Sequence, residues 1–136
     1  MVKFSKIIFL DPELPANFLG ADVLFIVDSS SDVSPYNYEK EKELVKALSK
    51  TLNSPGVNSR TAFITYGNRP QVIYQLDNNM SSIALQRAID SAQPVGGGRR
   101  TDRALEEGVQ LLRNSKRSVP KIVLLITAGQ QVEVST

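Results

Sequence analysis

The stretch ADVLFIVDSSSDVSP, residues 21–35, decides how the rest of the chain is read. Residues 23–27 form a continuous apolar run bounded by turn-forming residues. That fits a strand covered on both faces, since a half-exposed strand would alternate apolar and polar positions. The run delivers Asp28 to the strand end, where Ser29, Ser30, Ser31 and Asp32 follow with oxygen-bearing side chains. Ser34 before Pro35 then reads as a helix N-cap with proline in the first helical position. A buried strand, an oxygen-rich turn and a helix start are therefore written within fifteen residues.

Outward from this stretch, apolar patterning alternates between helical and strand periods. Residues 35–52 place Tyr38, Leu44, Val45, Leu48 and Leu52 on one predicted helical face, closed by NSPG at 53–56. RTAFITYG (60–67) and PQVIYQL (70–76) read as two strands joined by a short turn. The second alternates Val72, Tyr74 and Leu76 against polar neighbours, as a half-exposed edge strand does. SSIALQRAIDSA (81–92) predicts a helix carrying Ile83, Leu85, Ala88 and Ile89 inward. After the loop PVGGGRR (94–100), TDRALEEGVQLLRNS (101–115) predicts another with Leu105, Val109 and Leu112 inward, and KIVLLITAG (121–129) is a second buried strand. This order implies an α/β sandwich with a mostly parallel central sheet, one antiparallel edge strand and helices on both faces. Ligand crevices in such sheets lie beyond the carboxyl ends of the strands. Asp28 and the Thr-Ala-Gly at 127–129 sit at two such ends.

Composition narrows the chemistry. The 136 residues fit one domain and hold neither Cys nor His. Thiol nucleophiles, disulfides, Ser-His-Asp triads and the common zinc sites are thereby excluded, and any metal must be a hard cation held by oxygen. Sixteen Lys and Arg against fourteen Asp and Glu give a net charge of +2, too small to point to nucleic acid or an anionic membrane. No apolar run approaches the roughly 18 residues of a membrane-spanning helix. The apolar IIFL at 7–10 is cut short by Asp11, Pro12 and Glu13, well below the about 7–15 apolar residues of an export signal. No carboxylate pair is placed for acid–base catalysis, so an enzyme is not expected.

The segments at 21–48, 60–76, 96–105 and 119–129, in order and with fitting spacing, resemble a von Willebrand factor type A domain. The flavour is that of the A domains in type VI collagen and other matrix proteins. The resemblance implies a Rossmann-like three-layer fold, with residues 1–20 as an N-terminal extension (a strand at 3–10) before a domain from 21 to 136. It also implies a metal-ion-dependent adhesion site, in which Mg²⁺ or Mn²⁺ bridges to an acidic group of a protein ligand. The family builds that site from an Asp-x-Ser-x-Ser loop, a Thr in a Gly-rich loop and a strand-end Asp. Asp28 and Ser30 match, and Thr101 matches a second threonine of the Gly-rich loop. Asp32 replaces a serine, Arg99 stands at the coordinating threonine, and Ala128 replaces the strand-end Asp. A guanidinium cannot ligate a cation and pairs readily with carboxylates. A degenerate site is therefore expected, with Asp28 and Ser30 as its remaining metal ligands. Asp28, Ser30, Asp32, Arg99 and Thr101 form the expected ligand-binding face, and no cofactor is expected, Mg²⁺ and Mn²⁺ being disfavoured.

Plainer readings stand beside these. The turn at 28–32 also fits side chains capping backbone N–H groups. Gly96-Gly97-Gly98 lacks the Gly-Lys-Ser/Thr of a phosphate loop and reads as a flexible connection. Lys116, Arg117 and Lys121 read as solvated charges flanking a strand. The family's sheet continues beyond LLITAG whereas the sequence ends at Thr136, so strand 121–127 is expected to present an apolar edge. That edge should recruit residues 3–10 or a second chain. The expected function is a secreted, metal-independent adhesion domain of an extracellular matrix protein, its partner a collagen or another matrix protein. An intracellular A-type scaffold or complex-assembly domain is the alternative.

Overall fold

In the computed structural model, which describes residues 2–9, 20–54 and 56–128, the apolar run after Ala21 becomes the central strand. The elements run β1 (Val2–Phe9), β2 (Asp22–Asp28), α1 (Pro35–Leu52), β3 (Arg60–Tyr66), β4 (Pro70–Tyr74), α2 (Ser82–Ser91), α3 (Thr101–Arg113) and β5 (Lys121–Ala128). Every residue of β2 is buried, as a run without polar alternation requires. Ser34 caps α1 as its sequence predicts: its Oγ accepts the N–H of Asn37 at 3.1 Å, with proline in the first turn.

One sheet forms in the order β1-β5-β2-β3-β4. β2 pairs in parallel with β3 and with β5, Phe25 lying opposite Phe63 and Leu124. β4 returns antiparallel on β3. The single antiparallel edge expected from the sequence is joined by a second: β1 runs antiparallel along β5, with Val2 opposite Ala128 and Phe9 opposite Ile122. The N-terminal extension, read from the sequence as carrying a strand at 3–10 that the β5 edge should recruit, thus supplies a strand of the sheet. The cause lies in β5, whose second edge would otherwise present unpaired backbone groups beside apolar side chains. Gly129 and the residues after it, like residues 10–19, lie outside the described residues.

Helices cover both faces. On one, Tyr38 and Val45 of α1 and Leu85 and Ile89 of α2 pack with Val23, Phe25, Val27, Phe63 and Ile126. On the other, Ala104 and Leu112 of α3 pack with Leu24, Ile26, Ile64 and Val123. The predicted stripes need three corrections. α3 turns Ala104, Gly108 and Leu112 fully inward, leaving Leu105 and Val109 half-buried. Gly108 explains this: a Cβ there would meet Leu24 Cδ2 at 2.5 Å, so the bare glycine lets the helix lie close on β2. Ile83 is 64% exposed in the first turn of α2. In α1 the buried row includes Glu41, Lys42 and Ser49, while Leu44, Leu48 and Leu52 lie at its flank. Lys42 is tolerated there because its Nζ donates to the carbonyls of Asp90 (3.0 Å) and Ala92 (3.3 Å) and pairs with Glu39.

Strand order reverses at β2: the chain leaves it through α1 to β3 on one side and later inserts β5 on the other. The crevice of such a sheet opens beyond the carboxyl end of that strand. Its last residue is Asp28.

Candidate functional site

Asp28 is fully buried at the strand end. Its Oδ1 accepts the N–H of Ser30 at 2.9 Å, the short-range turn its position invites. Its Oδ2 lies 2.6 Å from Nε of Arg99. The N–H does not point along that line, so Oδ2 has a close opposite charge yet no hydrogen bond. Arg99 thus acts on Asp28 as a charge more than as a donor. Its Nη2 stands 4.0 Å from Oδ2 of Asp32, whose side chain is 73% exposed. Arg99 therefore joins Asp28 closely and reaches Asp32 only at its limit. Arg100 is committed elsewhere: it donates to both carboxylate oxygens of Asp102, at 3.0 and 2.8 Å, and holds that exposed carboxyl down at about 2.

The Gly-rich loop that delivers Arg99 is tied down, against the flexible connection its composition suggests. Asn68 N–H donates to the Gly96 carbonyl and Arg100 N–H to that of Gly67, both at 2.9 Å. A Cβ on Gly67 would meet Gly96 O at 1.9 Å, so only glycine allows the two strands of loop to touch. Gly96 and Gly97 take φ of 79° and 73°, a region glycine enters without strain. The turn after β2 clasps the same loop from the other side. Ser31 N–H donates to Gly97 O at 2.9 Å, and Gly97 N–H returns to Ser31 Oγ at 2.8 Å. Beneath them Ser29 Oγ accepts from Thr65 Oγ1 (2.7 Å) and from Val95 N–H (3.0 Å), while Gly96 N–H reaches Ser29 O (2.9 Å).

Thr101, the first residue of α3, shares a 2.9 Å hydrogen bond with the Tyr66 hydroxyl. Burial pushes the Tyr66 phenol up to about 12, with the Thr101 contact pulling modestly the other way. Ser29 stood out in the sequence only as one of the oxygen-bearing residues after Asp28, and Thr65 and Tyr66 were not singled out. The only signal for them was their adjacency to the ends of β2 and β3. All five sequence-derived residues lie around the carboxyl end of β2, but Thr101 faces Tyr66 and Asp32 faces solvent.

Two buried oxygens of this cluster, Asp28 Oδ2 and Ser30 Oγ, have no hydrogen-bond partner among the described residues. They belong to the Asp-x-Ser pattern that a hard cation would use. The remaining arrangement does not fit one. The guanidinium of Arg99 lies against the oxygen that a cation would share. The hydroxyl of Thr101 is committed to Tyr66, and position 128 offers only a methyl group. Two like charges at about 4 Å repel by roughly 4 kcal/mol at an effective dielectric near 20. Among the described residues no group of three or more acidic side chains gathers to offset that.

The sheet order, the helices on both faces and this loop pair describe a known design, and the von Willebrand factor type A domain model matches residues 22–135. The chain belongs to this family. It is 31% identical over 121 residues to von Willebrand factor A domain-containing protein 1 of Bos taurus, covering 85% of this chain and 29% of that one. The collagen alpha-4(VI) chain of Mus musculus is 29% identical over 114 residues, 83% of this chain and 5% of the relative. Matrilin-3 of Mus musculus is 25% identical over 116 residues, 80% and 24%. The chain therefore spans less than a third of each of these relatives. Among solved structures, proximal thread matrix protein 1 from the mussel byssus superposes with a TM-score of 0.61 at 25% identity, over 71% of this chain and 26% of that one. A further structure of that protein, described as having a zinc-occupied MIDAS motif, shares the fold at 24% identity, with a TM-score of 0.60 over 71% and 26%. Domains of this family in matrix proteins typically bind other proteins and are generally not enzymes. Among the described residues, no helix is long and apolar enough to cross a membrane.

Proposed function

We propose that this domain is a protein–protein adhesion module of an extracellular matrix protein, and that it engages its ligand at the carboxyl end of β2 without a metal ion. The observation that carries this reading is Arg99. Its guanidinium sits 2.6 Å from the buried Asp28 carboxylate and keeps a third of its side chain exposed. A fixed positive charge anchored on one side by Asp28 and open on the other can receive an acidic group of a partner. In the metal-dependent site that the family resemblance implies, a cation bridges the domain to such an acidic group. Arg99 differs in being always charged and covalently held, so binding would not respond to chelators. Asp32, exposed beside it, would steer the partner's approach and oppose a second acid. Tyr36, 69% exposed and close in sequence to that turn, offers the kind of aromatic anchor that protein interfaces favour. Likeness to a collagen VI chain and to matrilin-3 supports the matrix setting and makes collagen or another matrix protein the partner class.

Binding of the chain to immobilised fibrillar collagen, with and without EDTA, tests the proposal. Equal binding in both conditions, lost in Arg99→Glu, is the expected result. Binding that requires Mg²⁺, or that survives Arg99→Glu unchanged, would overturn it.

A further inference from the structure

The opposite pole of the sheet holds a second charged cluster. It lies about 20 Å from Asp28, six residues of β2 away at roughly 3.3 Å each. Asp22, the first residue of β2, is fully buried and faces three cations. Arg60 Nε and Arg117 Nη1 each stand 3.2 Å from its Oδ1, and Lys121 Nζ stands 3.2 Å from its Oδ2. Ser115 Oγ donates to the same carboxylate. The first residues of three adjacent parallel strands meet here, because Asp22 is in register with both Arg60 and Lys121. Arg117 and Lys121 are thus not the solvated flanking charges their sequence suggests.

One carboxylate does not balance three cations. Lys121 is closed in, its Nζ also donating to the carbonyls of Arg117 and Val119. The two arginines are partly open: Arg60 uses Nε and Nη2 on Asp22 and Ser115, and Arg117 uses Nη1 on Asp22 and Nη2 on the Asn58 carbonyl, yet their side chains stay 32% and 23% exposed. Both line a cavity of about 400 Å³, within the size range of small-ligand sites. Lys116 lines it too, exposed and with no ion pair or hydrogen bond among the described residues. Leu76 and Leu111 give the cavity apolar walls, and Asp77 places one negative charge among its lining residues.

We propose that this cavity binds a single carboxylate carried on an apolar-flanked segment of a partner polypeptide. The surplus positive charge supplies the attraction, and the donors left for an incoming carboxylate are the guanidinium N–H groups not engaged by Asp22, Ser115 and Asn58, Nη1 of Arg60 and Nε of Arg117 among them. The leucine walls favour peptide side chains over a hydrated sulfated sugar, and Asp77 opposes a multiply charged anion. The site is independent of the Arg99 face, so either can fail alone.

The test uses the full isotope-labelled chain and NMR titration with a capped tripeptide bearing glutamate between two leucines. Its glutamine counterpart and inorganic sulfate are separate arms. The glutamate peptide should shift the amides of Arg60, Ser115 and Arg117 saturably, and the glutamine peptide should bind at least about tenfold more weakly. Lys116→Glu, an exposed change that leaves the Asp22 contacts in place, should weaken binding about fivefold. Equal shifts from the glutamine peptide, indifference to Lys116→Glu, or tighter binding of sulfate than of the peptide would each overturn the proposal. So would shifts centred on Ser30 and Arg99, which would place the carboxylate at the other pole.

Discussion

Replacing Arg99 with alanine removes the cation 2.6 Å from Asp28 Oδ2 and leaves a fully buried carboxylate whose donor among the described residues is the Ser30 N–H. Breaking a wholly buried pair typically costs about 3–5 kcal/mol, whereas an exposed pair contributes about 0–1 kcal/mol. Arg99 is one-third exposed and its partner not at all, so water can partly replace the guanidinium. The expected loss is between these limits, about 1–3 kcal/mol. Asp28→Asn removes the charge while keeping an oxygen for the Ser30 N–H. In that background Arg99→Ala should cost under about 0.5 kcal/mol, giving a coupling energy of at least about 1 kcal/mol. Urea unfolding at pH 7, with slopes unchanged across the four proteins, provides the measurement. A loss below about 0.5 kcal/mol in the parent chain, or the same loss in both backgrounds, would refute the idea that Arg99 neutralises this buried carboxylate.

Three other outcomes follow from the same physics. Burial alone would raise the Asp22 carboxyl, but hydrogen bonds from Ser115, Arg60 and Lys121 outweigh it and hold the group below its ordinary 3.8. Its contribution is therefore complete above that value and lost as pH falls through the folded one, so Asp22→Asn should flatten the acid limb of a stability–pH curve; an unchanged limb would contradict this. The Tyr66 phenol, raised to about 12 mainly by burial, contributes stability that is full below its ordinary value of about 10 and declines from there towards pH 12. Tyr66→Phe should reduce the alkaline loss by up to about 2 kcal/mol in unfolding measured at pH 9 and pH 11.5, and an identical alkaline loss would contradict the assignment. Removing residues 1–9 deletes β1 and bares the β5 edge, so sedimentation velocity should show concentration-dependent association, whereas a monomer of unchanged stability would show that the edge is not sticky.

The central fold was legible because its strongest signals are local. Residues 23–27 and 122–126 are apolar without interruption, β-branched-rich and short, a pattern that marks interior strands. Ser34-Pro35 announces its helix for an equally local reason. Where the reading slipped, the deciding contact was not apolar or not nearby. Gly108 counts for little in a hydrophobic pattern, yet its missing side chain sets how α3 lies on Leu24 and Ile26. Ile83 fits a helical stripe but falls in the first turn of α2, where it is left exposed. The Asp22 cluster joins residues up to 99 positions apart, and no spacing rule brings Arg60, Arg117 and Lys121 to one carboxylate. At the candidate site, the pattern at 28–32 and the Arg99 departure were visible as motif positions. The clasp between Ser29, Ser31 and Gly96-Gly97 was not, because it rests largely on backbone groups that every sequence shares.

The claim that Arg99 stands where a cation would act is tested most directly by Mn²⁺, whose unpaired electrons broaden amide signals around any site that holds it. Titrating the labelled chain should leave the amides of Ser30, Ser31 and Gly97 no broader than those of remote exposed residues. Arg99→Thr combined with Ala128→Asp restores two oxygen donors and should produce broadening confined to those amides. Selective broadening around Ser30 in the unaltered chain, saturating at one Mn²⁺ per molecule, would contradict the account.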